Sequence, residues 1–335
     1  PRAASARVMD RQLAATAPRA RRRSLGRQIW RARWCYLLML PGLVLIAMFS
    51  VYPIFASFLY SLYNWDGITG LQDFIGLQNY AQLFHDSYFW ASLGRSAWFA
   101  GIATPVELAV SLLIAIVLND RALRLAPIFR TLFFIPVVTT TAVISIVMTF
   151  VFAAYGGPIN QVLLDLHLTH SAINFLGNPH SVVWTAIGIF VWKWMGQPMI
   201  YWLAGLQTVP TELYEAAKVD GAGWFKQILH VTAPLMAPFA LIIGLIQLVG
   251  NLQVFAFIQA LTGGGPFFAS ETIEVFIFRM AFGVESSGQS TGRPEFGYAS
   301  AAGVLFGVLL MAAVAVQALA LRRLRPSRMA AGART

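Results

Sequence analysis

Six long stretches of apolar residues constrain the fold of this chain more than any other feature of its sequence. A helix needs about 20 apolar residues to cross the roughly 30 Å hydrocarbon core of a bilayer. Of the 335 residues, 58% are hydrophobic and 11% are charged, whereas soluble domains keep about a quarter of their residues charged. The sequence therefore predicts an all-α membrane protein with six transmembrane helices, at residues 34–60, 96–118, 131–152, 181–206, 235–261 and 296–321.

Basic segments flank the apolar part of the chain. Residues 1–33 hold ten of the 24 Lys and Arg, and residues 322–335 hold five. We interpret them as terminal segments around a six-helix domain over 34–321, whose core is at about 91–321. Arginines beside an apolar span are attracted to anionic lipid headgroups by about 1 kcal/mol each. The net charge of +10 therefore indicates contact with a membrane surface and not with nucleic acid.

The remaining cations predict the orientation of the spans. With six spans, the loops after the second and fourth spans face the same side as both termini. Those loops and the termini carry 20 of the 24 Lys and Arg, while the opposite loops hold only Arg95, Arg279 and Arg293. Because positively charged segments stay in the cytoplasm, we expect both termini there.

A short charged segment, TELYEAAKVDGAGWF, lies between the fourth and fifth spans. It predicts a short helix capped by Thr211, with its acidic residues near the positive end of the helix dipole. Asp220-Gly221 predicts a turn, and GWFKQILHVT a second helix that ends at Pro234 and Pro238.

Two interpretations of this segment remain open from the residues alone. Small side chains at Ala216, Ala217 and Ala222 would let a groove of another protein approach closely, which favours a docking element. The alternative is a loop that packs on itself and only connects two spans.

Motifs for catalysis and metal binding are missing from the sequence. His167 and His170 have a spacing that suits a metal ion, but no thiol or carboxylate pattern completes a site. The sequence has no GxxxxGK[ST] phosphate loop, no nucleophile elbow and no HExxH pattern. We therefore predict that the chain is not an enzyme and holds no catalytic residue, metal or cofactor.

Polar side chains within the spans are the candidates for a solute pathway. Such groups are costly in a membrane unless they are used, and the fifth span carries more amides than helix packing requires. With three residues near the outer ends of other spans, the predicted pathway consists of Gln247, Asn251, Gln253, Tyr155, Tyr298 and Ser300. The alternative is that the amides link helices to one another.

Two charged side chains, Glu107 and Lys193, also lie within spans. Each is a functional hypothesis by default, and the alternatives are a salt bridge between them or a position near the headgroups. If Lys193 faced the cavity, it would favour an anionic solute such as glycerol phosphate.

Several motifs together resemble the permease subunits of bacterial binding-protein-dependent ABC importers. EAAKVDGA followed by ILHVTAPLMAP is similar to the EAA signature of this family, although Ala233-Pro234 stands where the family often has Leu-Pro. YWLAGLQTVP and FIGLQNY are similar to its carbohydrate branch. LTGGGP, ETIEVFIFRMAF and FGYASA resemble the F-type subunit of the maltose permease. The resemblance covers about residues 34–321.

This resemblance implies a type I ABC importer fold in the bacterial inner membrane and inward transport of a sugar or oligosaccharide by alternating access. It also implies four partners: a homologous G-type permease, two subunits that bind and hydrolyse ATP with Mg, and an extracytoplasmic solute-binding protein. In the family, the EAA segment is the coupling helix that inserts into the ATPase. The matching ATPase-coupling residues are Glu215, Ala216, Ala217, Asp220, Gly221 and Ala222.

Two alternative functions remain. An importer permease of this type could carry glycerol phosphate or another polar solute. An ATP-independent secondary transporter, a different class, would show inverted repeats and charged relays within its spans, and neither is evident in the sequence.

Overall fold

A computed structural model describes residues 33–71, 73–120, 123–283 and 293–324, with side chains as far as residue 319. Most of the predicted basic segment 1–33 and of the basic tail 322–335 lies outside these residues. Contacts divide the chain into two compact units, Pro1–Ala56 and Ser57–Thr335. The described part of the first unit is a single apolar helical run, and all other helices belong to the second unit.

The described residues are helical, as the apolar pattern predicts, with one isolated β-bridge between Tyr63 and Phe74. Two π-helical turns, Ala47–Val51 and Ile228–Thr232, interrupt longer helices. The α-helices are α1 (Arg33–Ile46), α2 (Tyr52–Tyr60), α3 (Gln78–His85), α4 (Ser87–Leu118), α5 (Ala126–Val138), α6 (Thr141–Val151), α7 (Pro158–Asp165), α8 (Val182–Trp194), α9 (Gly196–Leu206), α10 (Thr211–Val219), α11 (Trp224–Gln227), α12 (Ala233–Asn251), α13 (Phe255–Leu261), α14 (Ile273–Phe282) and α15 (Phe296–Leu324).

Four helical runs among the described residues are long and apolar enough to cross a bilayer: Arg33–Tyr60, Ser87–Leu118, Trp224–Asn251 and Phe296–Leu319. The bent pair formed by α5 and α6 is a fifth candidate. The prediction of apolar helices long enough to span a bilayer is thus confirmed, whereas the predicted count of six is not, because the third and fourth spans are interrupted.

The third predicted span is broken between α5 and α6, which meet at an angle of 98°. The backbone becomes extended at Thr139 and Thr140, with ψ angles of 140° and 131°. Pro136 precedes this break, and proline weakens a helix because it lacks an N–H and its ring crowds the preceding turn. The third span is therefore a bent element rather than one straight helix.

The fourth predicted span is divided at Met195 into α8, of 13 residues, and α9, of 11. Pro198 follows the break and cannot donate the hydrogen bond that would continue α8. Gly196 lies so close to α5 that a Cβ atom there would meet the carbonyl oxygen of Phe133. Small residues allow such close approach between membrane helices, so the break also sets the packing of α9 on α5.

The fifth predicted span begins earlier than its apolar pattern suggests. Residues Trp224–Asn251 form one continuous run, so the predicted helix end at Pro234 and Pro238 is wrong. The π turn explains the difference, because the N–H of Ala233 pairs with the carbonyl of Ile228, five residues back. A widened turn of this kind accommodates Pro234, which has no N–H to donate.

Helix α4 organises the second unit, in contact with α8, α9, α12 and α14. A buried ion cluster fastens it to α14. The fully buried carboxylate of Glu271 accepts hydrogen bonds from Arg279 Nε at 2.7 Å and Ser92 Oγ at 3.1 Å, and the backbone carbonyl of Glu271 accepts one from Arg95 Nε at 2.8 Å. Arg95 and Arg279, two of the three cations that the sequence places in the cation-poor loops, therefore hold α4 and α14 together.

Candidate functional site

A cavity of about 350 Å³ lies between α6, α8, α12 and α13, with the start of α9 at its wall. We name it the amide cavity, because four side-chain amides line it together with three aromatic rings: Gln197, Gln247, Asn251, Gln253, Phe190, Trp194 and Phe257. None of the described residues that line it carries a charge. Pockets that bind small polar molecules combine apolar and aromatic walls with a few placed polar groups, and this cavity has that composition.

The structure brings three of the six predicted pathway residues together at the amide cavity: Gln247, Asn251 and Gln253. The first two lie at the end of α12, and Gln253 lies in the short connection to α13. The interruption of the fifth span after Asn251 turns the chain around the cavity, so that residues from both helices line it.

The other three predicted pathway residues lie elsewhere. Tyr155 follows the end of α6 and is 92% exposed. Tyr298 is buried, and its hydroxyl donates a hydrogen bond to Asp86 at 2.6 Å, which joins α15 to the start of α4. Ser300 is half-buried two residues further along α15. None of the three is among the residues that line the amide cavity.

Sequence reasoning missed Phe190, Trp194, Gln197 and Phe257. Aromatic side chains in an apolar span are typical of helix packing or lipid contact, so their type alone does not indicate a cavity. A signal was nevertheless present, because Gln197-Pro198 places an amide and a helix breaker in the middle of an apolar stretch. The helix breaks here between α8 and α9, and Gln197 in the first turn of α9 lines the cavity.

Glu107 is fully buried on α4 behind the amide cavity. Its Oε1 accepts a hydrogen bond from Gln247 Nε2 at 2.6 Å, and its Oε2 accepts one from Asn251 Nδ2 at 3.0 Å. Asn251 Nδ2 also donates to Thr104 Oγ1 at 3.0 Å. Gln247 and Asn251 therefore link α4 to α12 and also line the cavity. The two alternatives for these amides, a position on a solute pathway and a link between helices, are thus compatible.

Lys193 does not pair with Glu107, which rules out the salt bridge that was one of the alternatives for these two residues. Lys193 is fully buried, and its Nζ donates to the carbonyl oxygens of Pro136 and Thr139, at 3.0 Å each. The bend between α5 and α6 deprives these carbonyls of helical partners, and the ammonium group supplies the missing donors. Lys193 also lies over the ring of Trp194, at 4.4 Å, and does not line the amide cavity.

The charged segment between the fourth and fifth predicted spans forms α10 and a tight turn. Gly221 has φ +73°, a conformation that glycine adopts without steric cost. Its N–H pairs with the carbonyl of Lys218 at 3.0 Å, and the N–H of Ala222 pairs with that of Ala217 at 2.9 Å. These two bonds form a Schellman motif, a common helix end. The expected cap by Thr211 is wrong, because Thr211 already lies within α10 and makes no capping bond.

Large apolar side chains surround this turn on the surface of the second unit. Val219 is 88% exposed, Phe225 71% and Trp224 60%. Of the predicted coupling residues, Glu215, Ala216, Asp220 and Gly221 are exposed, and the other two are half-buried. Exposed apolar groups next to polar ones mark surfaces that contact another protein or a membrane.

Two hydrogen bonds fasten α10 and its turn to the beginning of the long helical run Trp224–Asn251. Tyr214 Oη and Thr232 Oγ1 are 3.1 Å apart, and Gln227 Nε2 donates to the carbonyl of Ala222 at 2.7 Å. Helix α10, its turn and this run therefore form one connected element. We name it the elbow element.

Comparison with known proteins decides the family. The sequence profile of the family described as "Binding-protein-dependent transport system inner membrane component" matches residues 108–326. The chain belongs to this family. The resemblance found in the sequence motifs is thereby confirmed, and the chain is a multi-pass inner-membrane permease.

Curated relatives match most of this permease. It is 33% identical to the probable ABC transporter permease protein YurN of Bacillus subtilis over 278 residues, which cover 83% of this chain and 92% of that protein. It is 31% identical to the lactose transport system permease protein LacF of Rhizobium radiobacter, with coverage of 83% and 90%. It is 32% identical to the sn-glycerol-3-phosphate transport system permease protein UgpA of Yersinia enterocolitica, with coverage of 74% and 83%.

Solved structures share the fold of this permease. A chain of a bacterial ABC transporter that imports the acidic polysaccharide alginate matches with a TM-score of 0.75 at 21% identity, over 90% of this chain and 100% of that one. The same kind of transporter in complex with an alginate pentasaccharide-bound periplasmic protein matches with a TM-score of 0.74 at 20% identity, over 91% and 99%. The predicted type I ABC importer fold is confirmed.

Proposed function

We propose that this permease carries a sugar or an oligosaccharide into the cell by alternating access, driven by ATP hydrolysis in partner subunits. The observation that carries the proposal is the amide cavity, which offers hydrogen-bonding amides and flat aromatic rings but no charged group among its described lining residues. Sugars present hydroxyl groups and apolar ring faces, and this lining complements both. The names of a lactose permease and of an arabinooligosaccharides permease among the similar proteins support the same class of solute.

Glycerol phosphate is the second candidate solute, since a relative is named for its transport. The amide cavity favours the sugar, because a phosphate group needs cationic or multiple N–H partners when it is desolvated. Lys193, a buried cation that precedes the lining residue Trp194 in the chain, is already bonded to two backbone carbonyls.

We further propose three kinds of partner: a homologous G-type permease, two ATP-binding subunits that hold ATP and Mg, and an extracytoplasmic solute-binding protein. The family description supports dependence on a binding protein, and a structural neighbour is in complex with a periplasmic protein. The exposed apolar surface around Gly221 supports docking of another protein at the turn. The chain itself would supply neither catalysis nor a cofactor.

The proposed coupling mechanism depends on the elbow element. In this proposal, the ATPase grips Glu215, Ala216, Ala217, Asp220, Gly221 and Ala222 on the cytoplasmic side. Closure of the ATPase subunits then moves α10 as a unit, because a packed helix is displaced rigidly. The bonds from Tyr214 and Gln227 pass this movement to the run that ends at Asn251 in the amide cavity. The cavity would thus open in turn to the two sides of the membrane.

The test is reconstitution of the permease with its three kinds of partner in proteoliposomes. We expect ATP hydrolysis to rise when the binding protein is given lactose or an arabinooligosaccharide, and to respond less to sn-glycerol 3-phosphate. Uptake by the permease without an ATPase would identify a secondary transporter and refute the proposal. Stimulation by sn-glycerol 3-phosphate alone would replace the sugar by the second candidate.

A further inference from the structure

Glu107 is an unusual residue in its position. It is fully buried in the middle of a membrane-spanning helix, where an ionisable group is costly. Among the described residues, the ion pairs formed by carboxylates involve Glu271 and not Glu107. Its hydrogen-bond partners are the neutral amides of Gln247 and Asn251. Packing alone does not require a carboxylate here, because a neutral side chain would avoid the cost of burying charge.

The contacts of Glu107 determine which atoms of the two amides remain available. Each carboxyl oxygen of Glu107 accepts a hydrogen bond from an amide nitrogen, so both amides turn their nitrogens toward Glu107 and their carbonyl oxygens away from it. Both N–H groups of Asn251 are then occupied, one by Glu107 and one by Thr104. Among the described residues, no hydrogen bond reaches Oδ1 of Asn251 or Oε1 of Gln247, although both residues line the amide cavity. The two residues therefore retain carbonyl oxygens as free acceptors.

We infer that Glu107 is a positioning residue that fixes the amides of Gln247 and Asn251 so that they offer hydrogen-bond acceptors to the solute. This inference rests on the proposed function and extends it to the basis of specificity. Acceptor oxygens select solutes that donate, such as the hydroxyl groups of a sugar. They disfavour groups that only accept, such as an ionised phosphate or carboxylate, because these leave a buried acceptor facing another acceptor.

The substitution Glu107→Gln tests this role with almost no change in volume. The new side-chain amide can both donate and accept, so it no longer fixes the direction of either neighbour. For uptake of radiolabelled lactose by the complete transporter, we expect KM to rise about tenfold, as for loss of one hydrogen bond between the solute and an amide oxygen. We expect the maximal rate to stay within about twofold, because α10 and its turn, where the ATPase is proposed to dock, are unaltered.

Ser111→Ala is the matched control. Ser111 lies one turn beyond Glu107 on α4 and accepts a hydrogen bond from Trp202 Nε1 at 3.1 Å, but it does not line the amide cavity. Its loss should lower the melting temperature and leave KM unchanged. Adding Glu107→Gln to the double variant Gln247→Ala with Asn251→Ala should not change its KM further, because Glu107 acts through those two amides.

An unchanged KM in Glu107→Gln, or equal changes in Glu107→Gln and Ser111→Ala, would overturn the inference. If the unmodified transporter carries neither lactose nor an arabinooligosaccharide, the proposed solute class fails, and a measurement without solute then tests the role of Glu107. Asn251→Asp places a second carboxylate beside Glu107 and should lower the melting temperature of the purified complex. Adding Glu107→Gln should restore it, since position 107 then donates to position 251. Failure to restore it would refute the carboxylate–amide contact.

Discussion

Replacing Gly221 tests whether the turn after α10 transmits force. Gly221 has φ +73°, and a Cβ added there would meet no atom within 4 Å. The cost of Gly221→Ala is therefore conformational rather than steric, at about 1–2 kcal/mol for an L-residue in the left-handed region. An energy of this size reduces the population of the turn relative to open forms by a factor of roughly 5–30.

Gly223→Ala is the control for this experiment. Gly223 lies two residues away with φ −63°, and a Cβ there also meets no atom within 4 Å. An alanine at that position keeps an ordinary backbone conformation, so its effect on the turn should be small. The pair of variants therefore separates the left-handed conformation from the mere addition of a methyl group.

The assay compares solute uptake with ATP hydrolysis in proteoliposomes that contain the complete transporter. For Gly221→Ala we expect the amount of solute taken up per ATP hydrolysed to fall at least about fivefold. The melting temperature of the permease should stay unchanged, because the substitution does not alter the membrane helices. Gly223→Ala should behave like the unmodified protein. Equal uptake per ATP in the two variants would show that the left-handed turn has no part in coupling.

Three further predictions address other parts of the permease. Lys193→Met leaves the carbonyls of Pro136 and Thr139 without donors, so thermal unfolding should show a loss of about 1–3 kcal/mol for each buried acceptor; an unchanged melting temperature would contradict this. Phe225→Ala removes an exposed apolar side chain and should weaken co-purification of the ATPase without affecting the fold; undiminished recovery of the ATPase would argue against docking at the turn. Three hydrogen bonds within its loop lower the pKa of Asp66 from 3.8 to about 2. A lowered folded-state pKa stabilises the loop above pH 3.8, and this stabilisation is lost as the pH falls toward 2. Asp66→Asn should abolish the acid transition in the fluorescence of the neighbouring tryptophan, and its persistence would assign the transition to another group.

The helical class of the fold is predictable from the sequence because it depends on averages over about 20 residues. Breaks within spans depend on single residues and their neighbours, which such averages conceal. Pro136 breaks the third span only together with the extended residues after it, whereas Pro234 is accommodated by a π turn and breaks nothing. The same residue type thus has opposite consequences, and only the surrounding hydrogen bonds distinguish them.

The turn after α10 is predictable from the sequence, because two adjacent residues determine its backbone conformation. Asp220-Gly221 indicates a turn because few other pairs adopt its conformation, and the structure places Gly221 in the left-handed region. The side-chain partners within the membrane depend on how helices face one another. Tyr298 and Asn251 are both polar residues in apolar spans, yet one pairs with Asp86 at 2.6 Å and the other lines the amide cavity. Sequence spacing does not reveal that difference.

The continuity of Trp224–Asn251 has a mechanical consequence. At 1.5 Å per residue, its 28 residues make a rod of about 40 Å. A tilt of about 10° at one end would sweep the other end through roughly 7 Å, more than the width of a water molecule. The π turn at Ile228–Thr232 interrupts the α-helical hydrogen bonding near one end of this rod, and helices bend at such turns. The bending stiffness of this turn would therefore determine how far a movement of α10 displaces Asn251.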